Sequence, residues 1–486
     1  MNFIDRLVGY VSPARGLTRM HARVTLAIAE KQVKRAYEGA KQGGNSSGWS
    51  VGGGSINAEL NKSISILRNR SRDLVANNGY IKHALKVLVG NIVGTGIVPK
   101  FEDKAVADLW KKWARRDCDA GGLLGFGGLQ AQIVRAMWES GECLVRFRVR
   151  RAEDGLTVPL QLQVLESDHL DSFKTGEVDG GFCISGVQFN LFGQRVGYWL
   201  FDKHPGEIAS LSRNLVSRFV PASEVLHLFD PLGRPGQVRG LPEFAVSIWK
   251  ARNVDDYQEA HSIRKKIEAC FAAFVTSSDE GFSAGSPGVR PNAQGKRVEE
   301  LSPGQIEYLK PGESVAFSAP VGSDGYEESV RVELRAIAAG TGITYEQLTG
   351  DYSQVNFTSG RMGKMEFKTM VEQFQWLIFI PMFCDAVAER FATVAYLAGE
   401  IRKPGVMPVN WTAPRIPLLD PLREGQGYQV MRELNVMSRQ EIIRELGFDP
   451  DEVDAEIAAD QHPLAASTPA QAAARAEARR ELLKEV

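Results

Sequence analysis

Residues 337–360 read IAAGTGITYEQLTGDYSQVNFTSG, and the way helix, cap and loop succeed one another here organises the reading of the whole chain. A helix predicted from Glu328 to Ala339 ends at Gly340 and Gly342, because glycine enters the left-handed conformation that closes a helix without steric cost. Thr344 and Gln347 then stand at capping-box spacing and predict a short helical turn. The next eleven residues, Gly350 to Gly360, are polar and carry one charge, Asp351. Beyond them a helix is expected to run to Leu397, crossing Pro381, where a missing amide donor predicts a kink.

Working upstream, Pro242 suits the first turn of a helix, and no breaker follows from Glu243 to Val275, which predicts a helix of about 50 Å. Residues 278–304 turn Gly/Ser/Pro-rich, and a short β-like piece follows at Ser314 to Ser318, so a small irregular subdomain is expected. Further back, Leu60, Ile64, Leu67, Leu74 and Val75 recur at helical spacing, Asn77-Asn78-Gly79 breaks the pattern, and a second apolar helix runs from Tyr80 to Ile92. A helix from Leu129 to Gly141 leads into Glu142 to Arg150, where Val145, Phe147 and Val149 alternate with Arg146, Arg148 and Arg150. Period two predicts a half-exposed strand. Shorter strands are expected at Gln161 to Leu165, Gly186 to Phe189, Gly197 to Phe201 and Glu224 to Phe229. The region from Ile56 to Leu241 is thus an α+β lobe. Downstream, Ser438 and Glu441 form another capping box, Ile442, Ile443 and Leu446 an apolar face, and Gly447 with Pro450 a stop. Past Gln461 an Ala/Arg/Glu-rich tail predicts a fraying helix.

The chain of 486 residues exceeds what one core comfortably fills, and its 58 basic and 59 acidic side chains nearly cancel, which excludes a wholesale nucleic-acid coat. Charge is uneven, since residues 1–41 hold eight Lys/Arg against three acids, a basic arm of about +5. Residues 43–54, GGNSSGWSVGGG, read as a flexible linker after it. The five cysteines contain no C-x-x-C pair, which argues against a disulfide frame or zinc site and for a reducing cytoplasm. No signal-peptide pattern opens the chain, and the most apolar stretch, Trp376 to Cys384, is far short of the roughly 20 residues of a bilayer span, so it reads as a buried helix.

Catalytic patterns are absent. Gly44, Ser46 and Gly48 match G-x-S-x-G inside the linker, where no strained strand-to-helix turn exists. Gly295-Lys296 lacks the remaining glycine and hydroxyl of a phosphate loop. Glu166, Asp168, His169 and Asp171 have metal-ligand chemistry, but neighbours on a strand face opposite ways, so a turn of solvated charges is expected, with no metal. Trp110 and Trp113, one helical turn apart, are expected in a core. No cofactor is indicated.

The runs RSRDLVANNGY (Arg70 to Tyr80) and VGNIVGTGI (Val89 to Ile97) resemble the start of lambda-type phage portal proteins. The resemblance continues through LESDHLD (Leu165 to Asp171), RGLP (Arg239 to Pro242), LKPGES (Leu309 to Ser314) and IAAGTGITYEQLTGDYS (Ile337 to Ser353), and so spans roughly Tyr37 to Gln461. It implies a non-enzymatic subunit of a ring, usually twelve-fold, at one vertex of a phage head, through which double-stranded DNA is packaged and ejected. It implies partners too: further copies of the chain, a terminase, a head-completion or connector protein, and capsid or scaffolding protein, with assembly in the host cytoplasm, residence in the virion and no membrane.

The resemblance also assigns regions: an arm and linker (1–55), a wing (56–241), a first stem helix (242–278), a clip (279–327) and a second stem helix (328–348). A tunnel loop (349–360), a long helix (361–398), a crown (399–460) and a tail (461–486) complete the set. On this reading Asp351, Tyr352, Ser353, Gln354, Asn356, Thr358 and Ser359 line a DNA channel. Arg361, Lys364 and Lys368, at i, i+3 and i+7 of one helix face, are candidate DNA-facing charges. Trp249, Tyr257, Phe271 and Phe274 are expected at subunit contacts. The alternatives are a connector ring of another family and a DNA-processing enzyme of the packaging motor; the missing phosphate loop speaks against the second.

Overall fold

A computed structural model describes residues 53–207, 216–269, 273–277, 313–317, 325–414, 420–446 and 448–459. The chain divides into two units, 1–55 and 56–486, and the architecture below is that of the second. It is mixed α/β, with antiparallel sheets among the described residues.

Helix α1 (Ile56–Asn77) and helix α2 (Gly79–Ile92) are separated by Asn78, as the break predicts. Asn78 Oδ1 accepts from the Ile81 amide at 2.9 Å, and its Nδ2 donates to Asp255 at 2.8 Å. Strand β1 (Val98–Lys100), helix α3 (Lys104–Lys112) and a π-helical turn (Trp113–Asp117) follow. Trp110 and Trp113 are core residues, packed on each other and on Phe126 and Phe391, with the Trp113 indole donating to Leu160 O at 2.7 Å.

Helix α4 (Phe126–Ser140) closes on Gly141 at φ +87°, and strand β2 (Glu142–Val149) begins at once. β2 is the middle of a three-stranded antiparallel sheet, flanked by β3 (Leu160–Glu166) and β9 (Val225–Phe229). The expected half-exposed strand is corrected for its first half, where residues 142–145 are fully buried, and holds for its second, where Arg146 and Arg148 are half-buried and Val149 is exposed. One face, with Cys143, Val145 and Phe147, joins the main core, while Leu144 joins a second cluster on the other side.

That second cluster underlies a five-stranded meander in sequence order: β4 (Gly176–Val178), β5 (Gly181–Ile184), β6 (Val187–Asn190), β7 (Arg195–Phe201) and β8 (Ser217–Pro221). β6, β7, β3 and β9 fall where the alternation predicts strands. The short strands β4, β5 and β8 add to them, formed where tertiary pairing outweighs weak local propensity.

The unbroken helix expected from Glu243 to Val275 is corrected. Residues Glu243–Ser247 form a 3-10 turn, α5 spans Ile248–Ala269, and Ala273–Ser277 are a strand, β10, paired with β11 (Glu313–Phe317). The AFVTS run is β-branched and aromatic, and ESVAF offers it a ladder, which a lone helix end does not. Helix α6 (Tyr326–Thr341) ends on Gly342 at φ +74°, and α7 (Tyr345–Thr349) carries the expected Thr344/Gln347 capping box.

Helix α8 (Phe357–Phe374) starts earlier than the sequence suggests. Asn356 caps it reciprocally with Ser359, so Thr358 and Ser359 belong to its first turn and not to the loop. Around Pro381 the helix passes into a ten-residue π segment (Gln375–Cys384) before α9 (Asp385–Leu397). The Asp385 amide reaches back five residues to Ile380 O, so the wider turn absorbs the proline's missing donor. The expected crown is not purely helical: β12 (Asn410–Thr412) pairs with β1, and only then come α10 (Pro421–Glu433), α11 (Arg439–Glu445) and α12 (Pro450–Ala459). Among the described residues no helix is long and apolar enough to cross a membrane. The arm at 1–52 and the tail past Gln461 lie outside the described residues.

Candidate functional site

The loop between α7 and α8 is short and internally tied. Gly350, at φ +73°, closes α7, and the Asp351 amide donates to Thr349 Oγ1 at 3.1 Å. Asp351 Oδ1 accepts from the Ser353 amide at 3.0 Å, and the Ser353 hydroxyl together with this amide holds the Asp351 carboxyl below the usual carboxylate range. With the side chain of Asp351 spent on its own backbone, Tyr352, Ser353, Gln354 and Asn356 face solvent; Tyr352 is 62% exposed. Thr358 and Ser359 are exposed on the first turn of α8.

Arg361, Lys364 and Lys368 do share one face, and the structure brings all three to the wall of a cleft of about 750 Å³. Its opposite wall is α10 and α11, with Arg423, Tyr428 and Arg444. Arg361 is exposed, whereas Lys364 and Lys368 are half-buried, and Lys368 pairs with Glu372 at 3.4 Å. Of the three candidate charges, Arg361 is the most exposed.

Of the four interface candidates, Trp249 is 64% exposed, with the Arg70 guanidinium 5.1 Å from its ring, and Tyr257 is 43% exposed and stacked on Tyr326. Phe274 lies in β10, opposite Ala316, and Phe271 falls outside the described residues.

The densest polar constellation was not anticipated. Glu142, wholly buried, accepts from Arg68 Nη2 at 3.0 Å, Arg239 Nε at 2.9 Å, the Gly240 amide at 2.9 Å and His227 Nε2 at 2.9 Å. Arg195 donates to His227 Nδ1, which leaves the ring proton on Nε2, aimed at Glu142. Burial alone raises a carboxyl, but Arg239, followed by the hydrogen bonds from His227 and Arg239, holds Glu142 well below its usual range. Arg68 also grips Asp168, which Arg72 binds at 2.6 Å. RGLP thus meets α1 at Glu142, and Arg68 links that centre to the neighbouring pair of Arg72, from RSRDLV, and Asp168, from LESDHLD. The signal for Glu142 was present: an acid directly after a helix-ending glycine, at the head of an apolar strand.

Gly141 and Gly240 touch beside this centre. A Cβ on Gly141 would lie 2.5 Å from Leu241 C and 2.6 Å from Pro242 N, on a backbone at φ +87°. Gly141→Ala is expected to destabilise by at least ~3 kcal/mol, read as a thermal midpoint lowered by several degrees in circular dichroism. An unchanged melt would show that the two segments separate easily.

The expected solvated turn at residues 166–171 is corrected to a paired one. Ligand atoms of Glu166, Asp168 and His204 lie within 4.8 Å of one another, but Arg72 Nη2 sits 3.1 Å from Glu166 and 2.6 Å from Asp168 and supplies the positive charge a metal would bring. His169 turns to Phe201 O, and Asp171 accepts from Ser217. The described cysteines are buried, and burial pushes the Cys118 and Cys143 thiols up to about 12, which leaves no thiolate nucleophile there.

The family described as phage portal protein, lambda family, matches residues 42–375. The probable portal protein of Halomonas phage phiHAP-1 is 25% identical over 461 residues, covering 89% of this chain and 88% of the relative. Portal protein B of Escherichia phage lambda is 24% identical over 428 residues, covering 74% and 77%. Among solved structures, a chain from the neck of a native gene transfer agent particle, computed with C12 symmetry, has 16% identity and a TM-score of 0.45, covering 78% of this chain and 94% of that one.

Proposed function

We infer that this chain, which belongs to the lambda family of phage portal proteins and is a structural portal subunit, assembles head to tail into a closed ring whose bore is lined by residues 350–356. The observation that carries the channel assignment is the loop itself. It is clamped between a helix-ending glycine and a capping box, it exposes Tyr352, Ser353 and Gln354, and its one charge is occupied internally. A conduit for DNA must not hold phosphates, because each one neutralised adds a salt-dependent grip. A tied, neutral loop meets that requirement. The exposed Arg361, just beyond it, would centre the duplex by attraction at a distance.

The remaining regions are read in the same frame. The α/β lobe serves as wing, α5 and α6 as stem, β10 and β11 as part of a clip that meets the packaging terminase on one side and a connector protein on the other, and α10 to α12 as crown. The subunit number is read as twelve, the virion vertex as its place, and capsid or scaffolding protein as its surroundings, after synthesis in the host cytoplasm.

A head-to-tail ring needs two different complementary surfaces on each copy. Trp249 and Tyr257, large and exposed along α5, are suited to one of them. Negative-stain microscopy of the purified chain is expected to show rings, and the double variant Trp249→Ala/Tyr257→Ala to shift most of the protein to monomers in size exclusion, at unchanged circular dichroism. Monomers from the unaltered chain would contradict the ring, and intact rings from the variant would move the interface elsewhere.

A further inference from the structure

Strand β2 and the residue that follows it carry three arginines on alternate positions, Arg146, Arg148 and Arg150, so their side chains leave the same face about 6.8 Å apart. On the neighbouring strand, Gln163 and Gln161 stand diagonally across from the last two. Gln163 Oε1 accepts from Arg148 Nε at 2.8 Å and Gln161 Oε1 from Arg150 Nε at 2.7 Å, while Gln161 is itself anchored to Asp119 O at 3.1 Å. A neutral amide thus grips Arg148 and Arg150 by the inner nitrogen, and among the described residues their outer forks have no other partner. Glu224 approaches Arg146 only to 3.7 Å. Like charges so aligned repel. Burial, then Arg146 and Arg150, press Arg148 below the usual arginine range. Beside the row opens a cleft of about 580 Å³, lined by Arg148, Arg150, Gln132, Leu124 and Asp119, whose carboxylate is taken up by the amides of Gly121, Leu123 and Leu124, with Leu123 at its rim 87% exposed.

We propose that this oriented arginine row is a docking surface for an extended acidic polypeptide segment bearing carboxylates on alternate residues. An extended strand repeats every second residue at the same spacing as the row, so Glu-x-Glu sets one carboxylate against each open fork, of Arg148 and Arg150, in the bidentate geometry that guanidinium favours, while Glu224 already faces Arg146. The match between this spacing and that of alternate strand residues favours an extended polypeptide as the occupant, with a nucleic acid as the competing outcome of the test.

The probes are a fluorescein-labelled peptide of alternating Glu and Val, an isomer of the same composition with Glu and Val in separate blocks, and a short DNA duplex, each titrated with the full chain and followed by anisotropy at 50 and 200 mM salt. The alternating peptide is expected to bind about tenfold more tightly than its block isomer. Arg148→Gln/Arg150→Gln should abolish that preference, and Gln161→Leu/Gln163→Leu, which keeps every charge, should reduce it several-fold, with circular dichroism confirming that the variants fold. Equal binding of the two peptides would overturn the proposal by reducing the row to a diffuse charge. Tighter binding of the duplex, lost in the arginine variant, would overturn it in favour of a nucleic-acid surface. Persistence of the preference in both variants would place the site elsewhere. None of these readouts depends on ring formation.

Discussion

Glu142→Gln is expected to cost roughly 3–5 kcal/mol of folding stability, because it leaves the Arg68 and Arg239 guanidinia buried without the anion that both share. The loss should appear as a lower urea midpoint at unchanged slope. The pH dependence follows from two groups whose folded pKa values both lie below their usual ones. His227, lowered by burial, contributes stability that is complete above about 6.5 and declines as pH falls below that, since only the unfolded chain then binds the proton. Glu142 contributes stability present above about 4.3 and lost as pH falls through its depressed folded value. Denaturation of the unaltered chain is therefore expected to ease in two stages on acidification, with the lower stage diminished in Glu142→Gln, where Asp119 and Asp168, also held below the usual range, still contribute. A midpoint unmoved by the substitution would mean that the two arginines find water or another anion.

The second large effect concerns the loop. In a ring, Ser353→Lys repeats one positive charge in every copy around the bore, and a protein that neutralises 6–10 phosphates loses about 10³–10⁵ in affinity between 50 and 200 mM salt. Rings of normal appearance are expected to retain DNA at low salt and release it steeply as salt rises, with packaging blocked under the retaining condition. Ser353→Thr, equally uncharged, should behave as the unaltered chain. Normal packaging by Ser353→Lys at low salt would remove residues 350–356 from the channel wall.

Much of this could be read from local chemistry. The Asn78 cap, the Thr344/Gln347 box, the Ser438 cap, and strands β2, β3, β6, β7 and β9 each announce themselves within a few residues, where the deciding interaction is short in sequence. What was misread depends on distant partners. β10 needs β11 to be a strand, β12 needs β1, and the start of β2, at Glu142, is covered from α1 and the loop before α5 by arginines 74 and 97 residues away. The loop was identified, but its end was placed too late, because Asn356 and Ser359 cap each other at a spacing that resembles more loop. The spacing of Arg361, Lys364 and Lys368 correctly put them on one face, yet nothing local to α8 reveals that α10 and α11 stand opposite that face.

The π segment at Gln375–Cys384 gives the long helix a place to change length. Removing one residue from an α-helix turns everything beyond the cut by about 100°, which would carry Arg361 off its face if the cut fell within α8. A π turn already holds one residue more than an α turn. A deletion at the exposed Trp376 or Leu377 can therefore relax the turn to ordinary winding while Gln375, bonded to Ile92 O, and Asp385, bonded to the Trp411 indole, hold both ends in phase. Mechanically the segment is an expansion joint: a one-residue change there would alter the reach of the strut without re-aiming the loop it supports.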